Sequence, residues 1–326
     1  KLVGKPFARP HLGVQKQVLT LQQNREQIAR RVIAALGYNE CVTYSFIDEV
    51  SAKLFGGGTD ATMLANPISS EMSHMRPSLL PALLQAAARN QARGILDMAL
   101  FEVGPVWHGG EPEDQETLAC GILVGHTGPK DVHGTRRPVD LYDAKANAEV
   151  ALNAMGAPSK VQFNRGLSDW WHPVRSAKMV LGKNSLAGFG EIHPKILTSL
   201  EVKGPVVAFV IHTENIPTPK VKSATRAALR TTAFQAVERD FAFVIDETVE
   251  AVTLVNAAKG VDKVLIDEVR VFDEFSGGTL AEGKKSLALT VRLQPKEATL
   301  TDIEIEAVVT KIVEKVTTAT GGVLRS

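Results

Sequence analysis

Cysteine is scarce in this sequence, with only Cys41 and Cys120 among 326 residues. The two lie far apart and neither belongs to a Cys-x-x-Cys pair, so the sequence offers neither a disulfide framework nor a cysteine-based zinc site. Proteins of reducing compartments use cysteine in this way, and we therefore expect a cytoplasmic protein.

Long apolar runs and an excess of positive charge are missing as well. The longest apolar stretches fall well short of the roughly 20 residues that a membrane-spanning helix needs. The N-terminus has no signal-peptide pattern, so we expect no membrane partner. The formal net charge is only +1, so any nucleic-acid site must be local. The chain begins at Lys1 instead of methionine, and we expect it to be a piece of a longer protein.

The segment from Gly278 to Ser286 matches part of the sequence pattern of a phosphate-binding loop but not all of it. Gly278 is followed by four residues and then by Gly283 and Lys284, but Lys285 stands where the loop needs a hydroxyl. The segment that follows, SLALTVRLQ, alternates apolar and polar residues as a half-buried strand does, so no helix receives a phosphate. We expect two strands joined by a Gly-rich loop, with one phase slip near Asp267 and Glu268 in the first strand.

The first two thirds of the chain mix helices and strands without strict alternation, which favours an α+β domain around an antiparallel sheet. The clearest element is a helix that begins with a capping box at Thr20 and Gln23 and ends at Gly37. Ile28, Val32 and Leu36, widened by Ile33, are its expected inward stripe. The other expected elements are strands within 38–47, 97–107, 117–125, 178–192 and 205–212, a helix from about Pro81, and a helix at 140–155.

The last ninety or so residues predict the order βαββαβ, which is the ferredoxin-like arrangement. Val249, Val252 and Val255 are the expected inward residues of its first helix, which stops at Gly260. The second helix has a capping box at Thr301 and Glu304. Its expected apolar stripe consists of Ile305, Val308, Val309, Ile312 and Val316, and GVLRS is expected to close the sheet.

Several phrases resemble the bacterial phenylalanyl-tRNA synthetase β subunit. They are GYNECVTYSFID, NPISSEMSHMRPSLLPALLQAAARN, LFEVGPVW, WWHPVRSA, GEIHP, VERDFAFVID, VFDEFSGGTLAEGKKSLALTVRLQ and TLTDIEIE, and they run in order across nearly all of residues 20–326. The resemblance implies a class II synthetase-like but non-catalytic module at 20–205 and a ferredoxin-fold anticodon-binding domain at 233–326. Residues 1–19 then form a lead-in, and 206–232 form a linker that carries Lys220, Lys222, Arg226 and Arg230.

The same resemblance implies a function and a set of partners. In this family a β subunit supports the catalytic α subunit in an α2β2 heterotetramer, which joins phenylalanine to its tRNA with ATP and magnesium. We expect no cofactor on this chain itself, and the first helix is a candidate contact for the α subunit. A self-sufficient class II ligase and a ferredoxin-like module that binds an amino acid are the alternatives.

A catalytic residue is not expected in the synthetase-like module. Class II synthetases hold ATP through an arginine in an aromatic-Arg-x-Glu pattern, because a fork of donors stabilises charge on the α-phosphate. Here Trp107 is followed by His108, Gly109 and Gly110, and an imidazole does not replace a permanently charged guanidinium. The only similar segment further on, Gly188 to Glu191, leads to a histidine.

Other polar candidates favour structural roles. His172, Arg175 and His193 could form an acid-base or metal set, but turn ordering beside prolines is the favoured interpretation. His126 and His133 could hold a metal in a Gly-rich loop, but they lack the close ligand spacing of a metal site, and no metal site is expected. Met72, Met75 and Arg76 fit subunit contact and core packing equally well.

The anticodon site is expected on the pair of strands around the Gly-rich loop. By the resemblance, Phe275 stacks on an anticodon guanine, Asp273 accepts from its N–H groups and Ser286 bonds its edge. Lys284 and Lys285 are candidates for phosphate positioning. The residues alone also allow Phe272 and Phe275 to be core and Asp273 to cap a turn. Residues 225–326 carry 13 Lys and Arg against 16 Asp and Glu, so we expect weak, geometry-dependent tRNA binding.

Overall fold

The computed structural model describes residues 18–325 except 129, 133, 135, 159–160, 219–227, 229–230 and 279. The chain divides into two compact units, Lys1–Lys222 and Ser223–Ser326. Most of the expected lead-in and the linker cations Lys220, Lys222, Arg226 and Arg230 lie outside the described residues. None of the described helices combines the length and apolar character needed to cross a bilayer.

The first unit contains a large sheet with helices on both faces. Its strands are β1 Asn39–Glu40, β2 Phe46–Ile47, β3 His74–Met75, β4 Met98–Trp107, β5 Gln115–Val124, β6 Gln162–Asn164, β7 Trp171–Leu181, β8 Asn184–Ile192 and β9 Val206–His212. Its helices are α1 Leu21–Ala35, α2 Glu49–Leu54, α3 Leu80–Gln91, α4 Leu141–Ala154 and α5 Pro194–Ser199. Short 3₁₀ turns span Asp60–Thr62, Ser70–Met72 and Pro112–Asp114.

Seven strands form the large sheet in the order β1-β4-β5-β9-β8-β7-β6, and β2 pairs with β3 separately. All neighbours in the large sheet are antiparallel except β1 and β4. Helices α1 and α4 cover one face, where Ala29, Phe101 and Phe209 are buried. Helix α3 covers the other face, where Leu83, Cys120 and Ile122 are buried. The expected α+β domain around an antiparallel sheet is confirmed.

Helix α1 begins as predicted, but its buried stripe is rotated. Both bonds of the Thr20 and Gln23 capping box are present, and Gly37 has the left-handed φ of 93° that glycine adopts freely. The buried residues are Arg25, Ala29 and Ile33, of which only Ile33 was predicted, and the predicted Ile28, Val32 and Leu36 are half-buried. The buried face differs from the predicted one because α1 packs against α4 as well as against β4. This face is used inside the unit, so the helix is not an unpartnered contact surface.

The strand predicted at 38–47 is broken into two short pieces. Cys41 N–H donates to the carbonyl of Phe101 at 2.7 Å, and the chain then leaves the sheet edge. Val42 and Tyr44 are 94% and 71% exposed. β-Branched and aromatic residues favour extended backbone, but a strand also needs a partner edge, and β4 supplies it for only two residues.

The second unit has the ferredoxin-like order predicted for it. Its elements are β10 Val237–Asp246, α6 Ala251–Lys259, β11 Ile266–Ser276, β12 Lys284–Leu293, α7 Asp302–Thr320 and β13 Val323–Leu324, with strand order β11-β12-β10-β13. The Thr301 and Glu304 capping box and the phase slip beside Asp267 are both present. A second slip, at Phe272, was not predicted.

The helix α6 face was partly mispredicted. Val252 is 43% exposed, and Leu254, Ala257 and Ala258 are the buried residues instead. The valine stripe was chosen from spacing alone, whereas the packing of α6 against α7, β11 and β12 decides which of its residues are buried.

Candidate nucleic-acid interface

The four-stranded sheet of the second unit has one face covered by its helices and one face without them. Phe241 and Phe243 of β10 and Leu287 and Leu289 of β12 are buried in the core under α6 and α7. Because successive side chains of a strand point to opposite faces, the even-numbered residues of both strands point away from these helices. We call this second face the open face.

The three residues predicted to contact a base share the open face. Phe275 pairs with Ser286 across the β11–β12 ladder, and Asp273 pairs with Ala288 next to them. Directly paired residues point to the same side of a sheet, and Asp273 is two positions from Phe275. Asp273 is exposed, Phe275 is 43% exposed and Ser286 is only 5% exposed. The structure thus presents a ring and a carboxylate, with the serine as their buried neighbour.

Core packing does not explain the two phenylalanines. Phe272 is 52% exposed and Phe275 is 43% exposed, so the alternative that both belong to the core is wrong. An exposed aromatic ring is available for stacking, and a nucleobase could cover Phe275 in this way.

The Gly-rich loop after Phe275 keeps its backbone close to the ring. Gly277 and Gly278 have φ values of 85° and 62°, in the left-handed region that glycine favours. A Cβ on Gly278 would lie 3.0 Å from Cζ of Phe275. The chain from β11 to β12 therefore turns beside the ring, as expected for two strands with a loop and contrary to a phosphate-binding loop followed by a helix.

The two lysines predicted to position phosphates have different surroundings. Lys284 lies on the open face, where its Nζ is 2.7 Å from Oδ1 of Asp246 and its side chain is 38% exposed. Lys285 points to the helix-covered side, its side chain is 9% exposed, and its Nζ is 3.8 Å from Oε1 of Glu274. Burial and this carboxylate argue against a phosphate contact by Lys285, because adjacent strand residues cannot face the same ligand.

Charges on the open face do not form a basic patch. The strand pairing places five carboxylates and three cations on this face, namely Glu238, Asp240, Asp246, Glu268 and Asp273 against Arg270, Lys284 and Arg292. A surface of this kind gains little from non-specific phosphate contacts. Binding here has to come from stacking and directed hydrogen bonds.

In the first unit, the strand end that lacks the class II arginine holds a histidine cluster. His108 follows β4, Glu116 lies in β5 and His212 ends β9. Oε2 of Glu116 is 3.1 Å from Nε2 of His108, and Oε1 of Glu116 is 2.6 Å from Nδ1 of His212. Burial alone would raise the pKa of Glu116, but hydrogen bonds from both imidazoles outweigh it and lower the pKa to about 2. The hydrogen bond to Glu116 in turn raises the pKa of His108. Neither Glu116 nor His212 stood out in the sequence, because only the sheet brings them together.

The Glu116→Gln variant is expected to lose stability in a pH-dependent way. The folded pKa of Glu116 lies below its ordinary value, so its stabilisation is present above about pH 4.5 and is lost as the pH falls toward 2. His108 has a raised pKa, so its share is present below about pH 6.5 and declines at higher pH. The loss should be on the order of 2–3 kcal/mol near pH 5–6 and smaller on both sides. Urea unfolding of both proteins between about pH 3 and 8 measures it.

A matched variant of an exposed carboxylate controls for the general effect of charge. Glu113 lies three residues away and is exposed, so Glu113→Gln should change the unfolding free energy by less than about 0.5 kcal/mol at every pH. A Glu116→Gln loss of the same size at pH 3, 5 and 8 would contradict the ion-pair explanation.

His172 and His193 order turns, as the favoured interpretation had it. Nδ1 of His172 accepts from the N–H groups of Val174 and Arg175 at 3.2 and 3.1 Å. Nδ1 of His193 caps α5 by accepting from Lys195 N–H at 3.1 Å. Nitrogens used in this way are not free for a metal. Arg175 forms an ion pair with Glu191 at 2.6 Å.

His126 is held by Asp97, whose Oδ1 is 2.9 Å from Nδ1 of His126 and whose Oδ2 accepts from Arg136 at 2.6 Å. His133, its suggested companion, lies outside the described residues. Within the part of the chain that the structure describes, no three His, Cys, Asp or Glu side chains are grouped as a metal site.

Arg76 is a core residue, and its hydrogen bonds hold the chain segment beside a surface groove. Its side chain is 2% exposed, and its Nη1 donates to Oε1 of Glu102 at 2.8 Å and to Oγ1 of Thr43 at 2.9 Å. Its backbone N–H donates to the carbonyl of Ser45 at 2.9 Å. These bonds fix the segment that carries Val42 and Tyr44. A groove of about 630 Å³ opens there, and the same two residues line it together with Met72 and Arg89.

Two family profiles match the chain. The profile described as "Phenylalanyl tRNA synthetase beta chain CLM domain" matches residues 6–213, and the one described as "Ferredoxin-fold anticodon binding domain" matches residues 232–325. The first match lies within the large-sheet unit, and the second lies within the ferredoxin-like unit.

Similar proteins include the phenylalanine–tRNA ligase β subunits of Ruegeria pomeroyi, Cereibacter sphaeroides and Rhodospirillum rubrum. They are 65%, 64% and 48% identical to this chain and cover 100%, 100% and 97% of it. The chain spans 41%, 41% and 40% of their respective lengths. Among solved structures, a pyrrolysyl-tRNA synthetase from Desulfitobacterium hafniense aligns with 59% of this chain and 66% of its own, at 16% identity and a TM-score of 0.46.

Proposed function

The chain belongs to the phenylalanyl-tRNA synthetase β-chain family, and we propose that it supports a catalytic α subunit and binds the anticodon of phenylalanine tRNA. The proposed setting is a cytoplasmic α2β2 enzyme that attaches phenylalanine to tRNA with ATP and magnesium. The observation that carries the proposal is the open face of the second unit. An exposed ring and an exposed carboxylate share that face, within the range matched by an anticodon-binding profile.

The chemistry of the open face suits one splayed base. Phe275 offers a stacking surface worth about 1–3 kcal/mol per base. Asp273 is an acceptor beside it and suits the N–H groups of a guanine edge. Ser286, paired with Phe275, is the proposed third contact, and Lys284 is the proposed phosphate contact. A face with more carboxylates than cations cannot hold tRNA by charge, so the complex with the α subunit has to supply the remaining affinity.

The synthetase-like unit is proposed to contribute no catalytic residue. Trp107 ends β4, and His108 follows where a class II enzyme needs its arginine. The imidazole of His108 is also already hydrogen-bonded to the carboxylate of Glu116, which accepts only and offers no donor to a phosphate. Adenylation is therefore assigned to the α subunit.

The groove beside Arg76 is the proposed surface for the α subunit. Val42 is almost fully exposed there and Tyr44 is largely exposed, and neighbouring exposed apolar and aromatic side chains mark protein interaction sites. The groove also carries Asp48, Glu71 and Arg89, which gives it a polar rim. This surface replaces helix α1 as the candidate contact, because the apolar face of α1 is buried within the unit.

Tyr44→Ala is expected to weaken association with the α subunit by about 10- to 100-fold, since a central interface tyrosine contributes on the order of 1.5–3 kcal/mol. Calorimetric titration of the chain with the α subunit measures it. Tyr142 is a matched control, because it is 68% exposed at the start of α4 and does not line the groove. Equal losses for Tyr44→Ala and Tyr142→Ala would remove the groove from the proposal.

Binding to phenylalanine tRNA, with and without the α subunit, tests the function as a whole. Binding should be weak for the chain alone, strong for the complex, and reduced for the complex when the anticodon is exchanged. Tight binding by the chain alone that persists at moderate salt would contradict the proposal. Exchange of pyrophosphate into ATP by the chain alone would point to a self-sufficient ligase. Saturable binding of an amino acid with no effect of tRNA would point to a regulatory module.

A further inference from the structure

A second cavity lies on the α3-covered face of the large sheet, beside the histidine cluster. Its volume is about 290 Å³. Phe55, Trp170 and Trp171 form an aromatic side, and Leu118, Leu167 and Val210 add an aliphatic one. The ring centroids of Phe55 and Trp170 are 5.7 Å apart, and the two ring planes are inclined by 44°. The rings therefore form two adjoining walls and do not stack in parallel. Mostly apolar walls with a few polar groups are typical of small-molecule sites.

Glycine keeps the floor of this cavity open. Gly188 of β8 lines it, and a Cβ there would lie 3.0 Å from Leu167 and 3.7 Å from Trp171. A Cβ at this position would occupy part of the space and would crowd the end of the Leu167 side chain. Its φ is not in the left-handed region, so the need is for space and not for backbone freedom.

The polar end of the cavity is formed by His108 and His212, and both hold Glu116. The side chain of Glu116 is only 17% exposed, and its ion-pair partners among the described residues are these two imidazoles. No Lys or Arg is present among the described residues that line the cavity. Asp114 and Glu214 are the charged groups next to the cluster, and Arg76, which precedes the cavity residue Pro77, is already paired with Glu102.

The charge at this end is therefore negative whenever the imidazoles are neutral. A carboxylate accepts only, so each neutral imidazole donates its N–H to Glu116 and keeps a lone pair on its other nitrogen. His108 and His212 line the cavity and Glu116 lies behind them, so this end has aromatic walls and a carboxylate without a permanent positive partner, which attract a cation by cation–π and electrostatic contacts. An anion would meet Glu116 without a permanent positive charge to offset it.

We propose that this cavity is a binding site for a small organic ammonium or amidinium ion with an aromatic or apolar body. Its body packs against Trp170, Trp171 and Phe55, and its charged end faces the His108–Glu116–His212 cluster. The volume suits a molecule of about ten non-hydrogen atoms. This site is independent of the open face of the second unit and of the groove beside Arg76.

The proposal fixes the direction of the pH dependence. Protonation of His108 removes its acceptor nitrogen and offsets the charge of Glu116, so binding should be strongest at about pH 8 and should weaken toward about pH 5.

Titration of the chain with benzylamine, followed by tryptophan fluorescence and calorimetry, tests the site. Benzyl alcohol and benzoate are matched for the ring and differ in charge. Benzylamine should bind at least about tenfold more tightly than either at about pH 8, and its affinity should fall about tenfold at about pH 5. No saturable binding of benzylamine at millimolar concentration, or equal binding of all three probes, would overturn the proposal.

Three single-residue variants test whether benzylamine binds in this cavity. Glu116→Gln should weaken benzylamine binding about tenfold, and Glu113→Gln, with the same loss of charge on an exposed side chain, should leave it unchanged. Gly188→Ala fills part of the cavity without changing charge and should weaken all three probes alike. A thermal scan of each variant confirms that it folds. Folded Glu116→Gln protein with wild-type affinity for benzylamine would place the binding elsewhere.

Discussion

Replacement of Glu102 by glutamine is expected to lower the free energy of unfolding of the first unit by about 3–5 kcal/mol. Glu102 is 5% exposed, and its carboxylate accepts from Arg76 at 2.8 Å and from Thr43 at 2.6 Å. Without the carboxylate, a buried guanidinium has no counter-charge, and the desolvation of that charge is no longer offset. At roughly 2–4 °C per kcal/mol for a unit of this size, the melting temperature should fall by about 10 °C.

Two further variants separate the buried ion pair from a general effect of charge. Glu49 forms a solvent-exposed ion pair with Lys53, so Glu49→Gln should lower the stability far less than Glu102→Gln does. The double variant with Arg76→Met and Glu102→Leu replaces both charges by apolar groups of similar size and should recover at least half of the loss. A Glu102→Gln loss no larger than that of Glu49→Gln would show that the pair is not the support inferred here.

Arg76 also links this stability to the surface used in the proposal. Its N–H to Ser45 and its guanidinium to Thr43 hold the two ends of the segment that carries Tyr44. Thus Glu102→Gln should weaken α-subunit association at temperatures at which the unit is still folded, although Glu102 is buried and cannot touch the partner.

Phe275→Ala is expected to weaken binding of phenylalanine tRNA by the reconstituted complex by about 5- to 150-fold, which corresponds to the 1–3 kcal/mol of one base stack. The ring is 43% exposed on the open face, so its removal should barely change the stability of the second unit. Filter binding or fluorescence titration at a fixed salt concentration measures the effect, and a thermal scan checks the fold.

The controls for Phe275 lie on the same strand. Phe275→Tyr keeps the stacking surface and should retain most of the affinity. Phe272 is more exposed, at 52%, but sits at the register slip without a pairing partner in β12, so Phe272→Ala should have a small effect. The ratio of affinities for normal and anticodon-exchanged tRNA is the second measurement. If this ratio is the same for Phe275→Ala and for the unchanged protein, the open face does not contact the anticodon.

The fold of the second unit could be predicted well because its signals are local. Capping boxes, alternation along β10 and β12, and the phase slip beside Asp267 are all encoded within a few residues. Errors appeared where a choice depended on a neighbour. Val252 fits a helical stripe as well as Leu254 does, and only the position of α7 decides which of them is buried.

The first unit was less predictable for the same reason. The segment after β1 has the composition of a strand but no partner edge, so Tyr44 stands on the surface. In the sequence, Arg76 was equally consistent with subunit contact and with core packing. Its buried ion pair with Glu102 of β4 shows that it is a core residue. Cys120 is buried as an ordinary core residue, in agreement with the absence of a disulfide framework.

By itself the sequence determined the α+β class, the ferredoxin-like order, the absence of the class II arginine, and the phrases that resemble one synthetase family. These follow from residue type and from spacing along the chain, which tertiary structure does not change. Only the tertiary structure decided that Asp273 and Phe275 share an exposed face, that Lys285 turns inward, and that His108, Glu116 and His212 meet at one cavity. The physical reason is that contact between residues of different strands, such as Glu116 and His212 at 96 positions apart, depends on strand order and register, which no local pattern contains.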